Sequence, residues 1–216
     1  MQPSRKDQLG YVLGIGHLTK TGLGQLAGDI CEQTGRRESQ VCEQVAAEVC
    51  RHLRSGGFAC WISPLDLPAY TREMSRTPNF TDVITACHRW QETVGFSEVR
   101  YIELHACAEE TRRGDAPPNA PANFSPAPCG HAEVRLNASP TPRALALAGA
   151  ILAHSNASPA HPLALAPMGR NSRVGKALES QGVRTVMLEL QLGRVGDVRA
   201  AAPEWAWWLA STLARA

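Results

Sequence analysis

The sequence predicts an α/β fold: a single domain with a mostly parallel twisted sheet and helices on both faces. Three observations predict it. Short apolar runs at 11–16, 58–62, 99–106 and 183–190 have the length and residue types of buried strands. Between the first two, Val41, Val45, Val49 and Leu53 recur every four residues, with Ala46 beside them, and mark an amphipathic helix. Strand, helix, strand in that order is a βαβ start, and such units build parallel sheets whose faces are covered by helices.

The bounds agree. The chain has 216 residues, 44% of them hydrophobic, enough for one sizeable core. A net charge of +2 gives no reason to expect nucleic acid as a partner. No run approaches the roughly 20 apolar residues of a membrane span, so no membrane partner is expected. Seven cysteines, none in a CxxC pair, read as reduced thiols rather than a disulfide framework. Residues 1–8 are polar and lack the apolar core of a secretory signal, so a cytoplasmic product is expected.

The elements follow in order. Residues 11–16 are the first strand, and the Gly-rich, polar stretch 18–37 reads as a long loop. Glu38 opens the helix, which Ser55-Gly56-Gly57 ends. Residues 58–62 are the second strand. Helices are expected over 67–76 and 82–94, then a third strand over 99–106. The Pro-rich segment 108–128 reads as an irregular insertion. Residues 132–136 alternate like a half-exposed edge strand. Pro142 suits the first turn of a helix over 143–154. Residues 156–168, rich in Pro and Ala, show no defined element; a short helix over 172–180, a buried strand over 183–190 and a helix over 203–215 close the chain.

Three of these strands carry an ionisable group near the end. His17 follows the first, His105 lies late in the third, and Glu189 interrupts Val186-Met187-Leu188-Glu189-Leu190. Such a group inside an apolar run costs several kcal/mol unless it is paired or bound to a metal. Glu38 by itself reads as a first-turn acid favoured by the helix dipole. His131, after Cys129-Gly130, is a reserve candidate; His52, His88, His154 and His161 read as surface groups. Catalytic zinc takes three protein ligands and leaves a fourth position to water. His17, Glu38 and His105 as ligands, with Glu189 as general base, satisfy that chemistry. No HExxH occurs, so the ligands must come from separate elements meeting at strand ends.

In this order the residues resemble the zinc-dependent N-acetylmuramoyl-L-alanine amidases, bacterial and phage cell-wall enzymes. The resemblance is carried by Gly14-Ile15-Gly16-His17, by Glu38 leading a helix that ends in Gly56-Gly57, and by Ile102-Glu103-Leu104-His105-Ala106. It continues through Gly130-His131-Ala132-Glu133-Val134, Leu145-Ala146-Leu147-Ala148 and Met187-Leu188-Glu189-Leu190, and spans 11–213. Cys107 stands where the family has Asn, and the first loop lacks the family's Gly-Gly-x-Asp. The resemblance implies one zinc amidase-like catalytic domain over 1–216, Zn2+ held by His17, Glu38 and His105, and Glu189 as catalytic acid/base. It also implies peptidoglycan or muropeptides as substrate; with no secretory signal in residues 1–8, the wall would be reached by lysis or another export route. Two alternatives stand beside it: a cytosolic zinc amidohydrolase acting on a small N-acyl amino acid or peptide, and a non-catalytic binding domain on the same scaffold.

Overall fold

The first βαβ unit sets the architecture. In a computed structural model, which describes residues 9–15, 30–31, 36–63, 92, 95–107, 132–136, 140–155, 163–167, 173–191 and 198–216, β1 (Leu9–Ile15) leads by way of α1 (Glu38–Ser55) to β4 (Ala59–Ser63), and β4 pairs parallel with β1. Val45, Ala46 and Val49 of α1 are fully buried. Gly57 ends the helix at φ 87°, a left-handed conformation that suits glycine, and Phe58 N donates to Leu53 O at 2.9 Å.

The remaining strands are β5 (Glu98–Cys107), β6 (Ala132–Leu136), β7 (Leu163–Pro167) and β8 (Arg184–Gln191). The six-stranded sheet has the order β4-β1-β5-β8-β6-β7. Every neighbouring pair is parallel except β8 and β6. A separate antiparallel pair, β2 (Ile30–Cys31) with β3 (Arg36–Arg37), lies within the stretch expected to be loop; two-residue strands have no periodicity for a sequence to display.

Period-2 alternation divides the sheet into two faces. Tyr11, Leu13 and Ile15 of β1, Ile102 and Leu104 of β5, and Val186, Leu188 and Leu190 of β8 enter the main core. That core is closed by α1, α2 (Pro142–Ser155) and α4 (Val198–Arg215). Thr141 caps α2, its Oγ1 accepting Ala144 N–H at 3.2 Å, and Pro142 takes the first turn. In α4, Trp205 and Trp208 are buried edge to face, with centroids 5.4 Å apart. Tyr11 Oη donates to Leu213 O at 2.6 Å and so ties β1 to α4. On the opposite face, α3 (Arg173–Ser180) reaches β8 through Glu179 Oε1, which accepts Thr185 Oγ1–H at 2.9 Å.

Three boundaries differ from the sequence reading. β6 is not an edge strand: β7 pairs outside it, and Val134 is fully buried. β7 was hidden because Ala and Pro are poor strand formers. α4 starts at Val198, five residues before Pro203, carried by the helix-favouring run Ala200–Ala202. The expected helices over 67–76 and 82–94 lie outside the described residues apart from helical Glu92, and the 108–128 insertion lies wholly outside them.

Candidate functional site

The sheet order brings the ends of three parallel strands side by side. Ile15 of β1 pairs with Leu104 of β5, Leu104 with Leu188 of β8, and Leu188 with Val134 of β6. All four are fully buried, so this row is the apolar floor beneath the sheet's upper edge. In the next row His105 pairs with Glu189, and Glu189 pairs in turn with Glu133. The strand ends that the sequence marked with ionisable groups therefore do meet.

Three of the four predicted site residues fall within the described residues. His105 is described in full: its side chain is 12% exposed, and its Nε2 lies 3.2 Å from Glu103 Oε1. Glu189 and Glu38 are described by their backbone alone. Register sets position 189 beside His105. Glu38 is the first residue of α1, and α1 runs back from the upper edge of the sheet to the start of β4. Its N-terminus thus lies toward the edge that carries His105. His17 and His131 lie outside the described residues; the chain leaves β1 at Ile15, in the floor row, two residues before His17.

Glu103 is the residue that sequence reasoning passed over. It is 8% exposed. The available signal was its spacing: residues two apart on a strand share a face, so 103 and 105 had to be neighbours. Glu133 was likewise read only as part of a strand, because which strand lies opposite it cannot be seen in the chain. A cleft of about 610 Å3 at the other end of the sheet, lined by Phe96, Val99, Arg143 and Arg184 among others, holds none of the predicted residues.

The donor set can be tested against zinc. Zinc ligands are typically imidazoles and carboxylates, and a ligating His commonly gives its second ring nitrogen to a carboxylate. His105 beside Glu103 has the imidazole–carboxylate half of that arrangement. Among the described residues, no group of three or more His, Cys, Asp or Glu side chains is placed to hold one. Cys42, Cys50 and Cys60 are buried in the core, and Cys50 Sγ donates to Cys60 O at 3.3 Å. Among the described residues, no helix is long and apolar enough to cross a membrane.

Solved structures share this architecture along nearly the whole chain. The N-acetylmuramyl-L-alanine amidase Ami1 of Mycobacterium smegmatis gives a TM-score of 0.56 at 13% identity, covering 99% of this chain and 96% of its own. The N-acetylmuramoyl-L-alanine amidase of Clostridium difficile 630 gives 0.55 at 13% identity, covering 96% and 93%. The fold is that of the N-acetylmuramoyl-L-alanine amidases. At these identities the likeness is one of fold. A metallo-carboxypeptidase of Burkholderia cenocepacia matches the same amidase-like architecture with a TM-score of 0.50 at 14% identity, over 99% of this chain and 57% of its own. No protein-family model matches the chain. No curated protein matches it either.

Proposed function

We propose that this chain is a zinc-dependent amide hydrolase that cleaves the bond between N-acetylmuramic acid and L-alanine in peptidoglycan or muropeptides. One observation carries the reading: within an amidase fold, His105 and Glu189 are register partners at the aligned ends of β1, β5 and β8. His17, Glu38 and His105 would hold the metal. Held there, zinc would supply a water of lowered pKa and a Lewis acid for the scissile carbonyl. Glu189 would take the water's proton and deliver it to the leaving amine, so that the amine departs neutral. The apolar row beneath the site, Ile15, Leu104, Leu188 and Val134, keeps water from the sheet side and holds the strand ends level. We take residues 1–216 as one catalytic domain.

The test is digestion of purified peptidoglycan and soluble muropeptides with and without a chelator, read by mass spectrometry. Products with a free L-alanine amine, lost on chelation and restored by zinc, support the proposal. Intact muropeptides in every condition refute it. A second reading, a zinc hydrolase of a small N-acyl amino acid or peptide, draws support from the metallo-carboxypeptidase that shares the fold. Cleavage of short peptides but not of muropeptides would favour it.

A further inference from the structure

Glu103 and His105 form a pair that the proposed chemistry does not yet use. Glu103 stands between Ile102 and Leu104, both fully buried, on the sheet face opposite the main core. The side chains of the pair are 10% and 12% exposed. A carboxylate so placed requires hydrogen-bond donors. His105 Nε2 lies 3.2 Å from Glu103 Oε1.

The chemistry of that contact fixes the position of a proton. An ionised carboxylate can only accept. An unprotonated Nε2 at this distance would set one lone pair against another, whereas a protonated Nε2 donates a charge-assisted hydrogen bond. With Glu103 ionised, this contact places a proton on Nε2 whether the ring is neutral or charged. In the neutral ring the unprotonated nitrogen is then Nδ1. The pair is built on one strand, at positions i and i+2, and strands on both sides hold that strand: Glu103 is in register with Gly14 of β1 and Met187 of β8. The acceptor is thus as fixed as the sheet itself.

We propose that Glu103 is a positioning residue. It accepts the Nε2–H of His105, sets the ring's tautomer and plane, and leaves Nδ1 as the nitrogen offered to a metal ion. The proposal rests on the reading of His105 as a zinc ligand, but its first half, the tautomer, can be measured without any metal. Carboxylates in this role are worth about 10- to 100-fold in metal affinity.

Two measurements on the full chain decide it. The first is long-range 1H–15N NMR of the metal-free protein, above the titration range of imidazole. It should show His105 protonated at Nε2 and not at Nδ1. Glu103→Gln, whose amide oxygen still accepts, should keep that tautomer; Glu103→Ala should lose it. The second is titration with zinc alone, where Glu103→Ala should bind about 10- to 100-fold more weakly and Glu103→Gln within about threefold of wild type. A wild-type ring protonated at Nδ1 overturns the proposal, and so does a folded Glu103→Ala that binds zinc as tightly as wild type. If Glu103→Ala does not fold, the wild-type spectrum and the Gln variant still decide: loss of the tautomer in the Gln variant, or wild-type protonation at Nδ1, refutes it. If the wild type shows the tautomer but binds no zinc, the pairing stands and the zinc reading fails.

Discussion

Gly14 is the point at which one added carbon does most damage, and the size of that damage follows from the geometry. A Cβ at position 14 would lie 2.1 Å from Tyr101 Oη, 2.6 Å from its Cζ and 3.2 Å from its Cε2. Real Cβ atoms essentially never approach within 3.0 Å of a heavy atom. Tyr101 is fully buried, so its ring cannot swing out to solvent. β1 cannot drift away either, because it is paired with β4 on one side and β5 on the other. Overpacking costs about 1–3 kcal/mol, and with no yielding neighbour Gly14→Ala belongs at about 3 kcal/mol. A chain of this size loses about 2–4 °C of Tm per kcal/mol, so the loss should be about 6–12 °C. Urea unfolding and thermal melts measure it. The ring is the cause, so Gly14→Ala should cost much less in a Tyr101→Ala background, although that background is itself destabilised by a cavity. Gly14 is also the register partner of Glu103, so the strain falls on the strand that carries His105. A Gly14→Ala protein that melts within about 1 °C of wild type would refute this account of the close approach.

Other outcomes test the packing and the site separately. Tyr11→Phe removes the 2.6 Å hydrogen bond to Leu213 O and the acceptor that Arg100 Nη1 reaches at 3.4 Å; it should cost about 1–2 kcal/mol in chemical denaturation and leave zinc binding unchanged. His105→Ala should lose most of the bound zinc by elemental analysis, because a two-ligand site binds weakly; full occupancy would remove His105 from the ligand set. Glu189→Gln should keep the fold and the metal and lower turnover on muropeptides by about 100-fold or more. Loss of zinc in that variant would make Glu189 a ligand instead of the proton carrier.

What the chain displayed in its own order was legible, and what required knowledge of a partner strand was not. The helix Glu38–Ser55 and its stop at Gly57 were readable because the four-residue period and the glycine are local signals. β5 and β8 were readable because buried parallel strands are continuous apolar runs. Alternation along 132–136 was seen, yet it was read as an edge, since one half-polar face looks the same whether the strand is last or next to last. β7 and the β2–β3 pair escaped for lack of any strong local preference. In the site, the isolated charges of His105 and Glu189 stood out against apolar neighbours. Glu103 did not, because beside His105 it read as context.

Sheet order is the step that joins these pieces, and it also explains why the charges gather. β8 is the seventh strand to follow β1 in sequence, yet it lies directly between β5 and β6. That insertion sets position 189 between His105 and position 133, with Glu103 one alternation below His105. Glu189 is thus the register partner of His105, Glu103 shares its strand, and Glu133 lies one strand further on. Acidic residues directly opposite one another destabilise a sheet, and like charges at close range favour a shared proton or a cation. A protein that needed only a stable sheet would gain from apolar residues at these positions, as it has them one row below at Ile15, Leu104, Leu188 and Val134. The change from apolar Leu104, Leu188 and Val134 to ionisable His105, Glu189 and Glu133, one residue away on β5, β8 and β6, would suit a sheet edge that holds positive charge. The proposed zinc ion would supply that charge. It predicts a direct physical signature: zinc should raise the Tm of the wild-type protein by mass action and leave that of His105→Ala unmoved. Equal shifts in the two proteins would place the metal elsewhere.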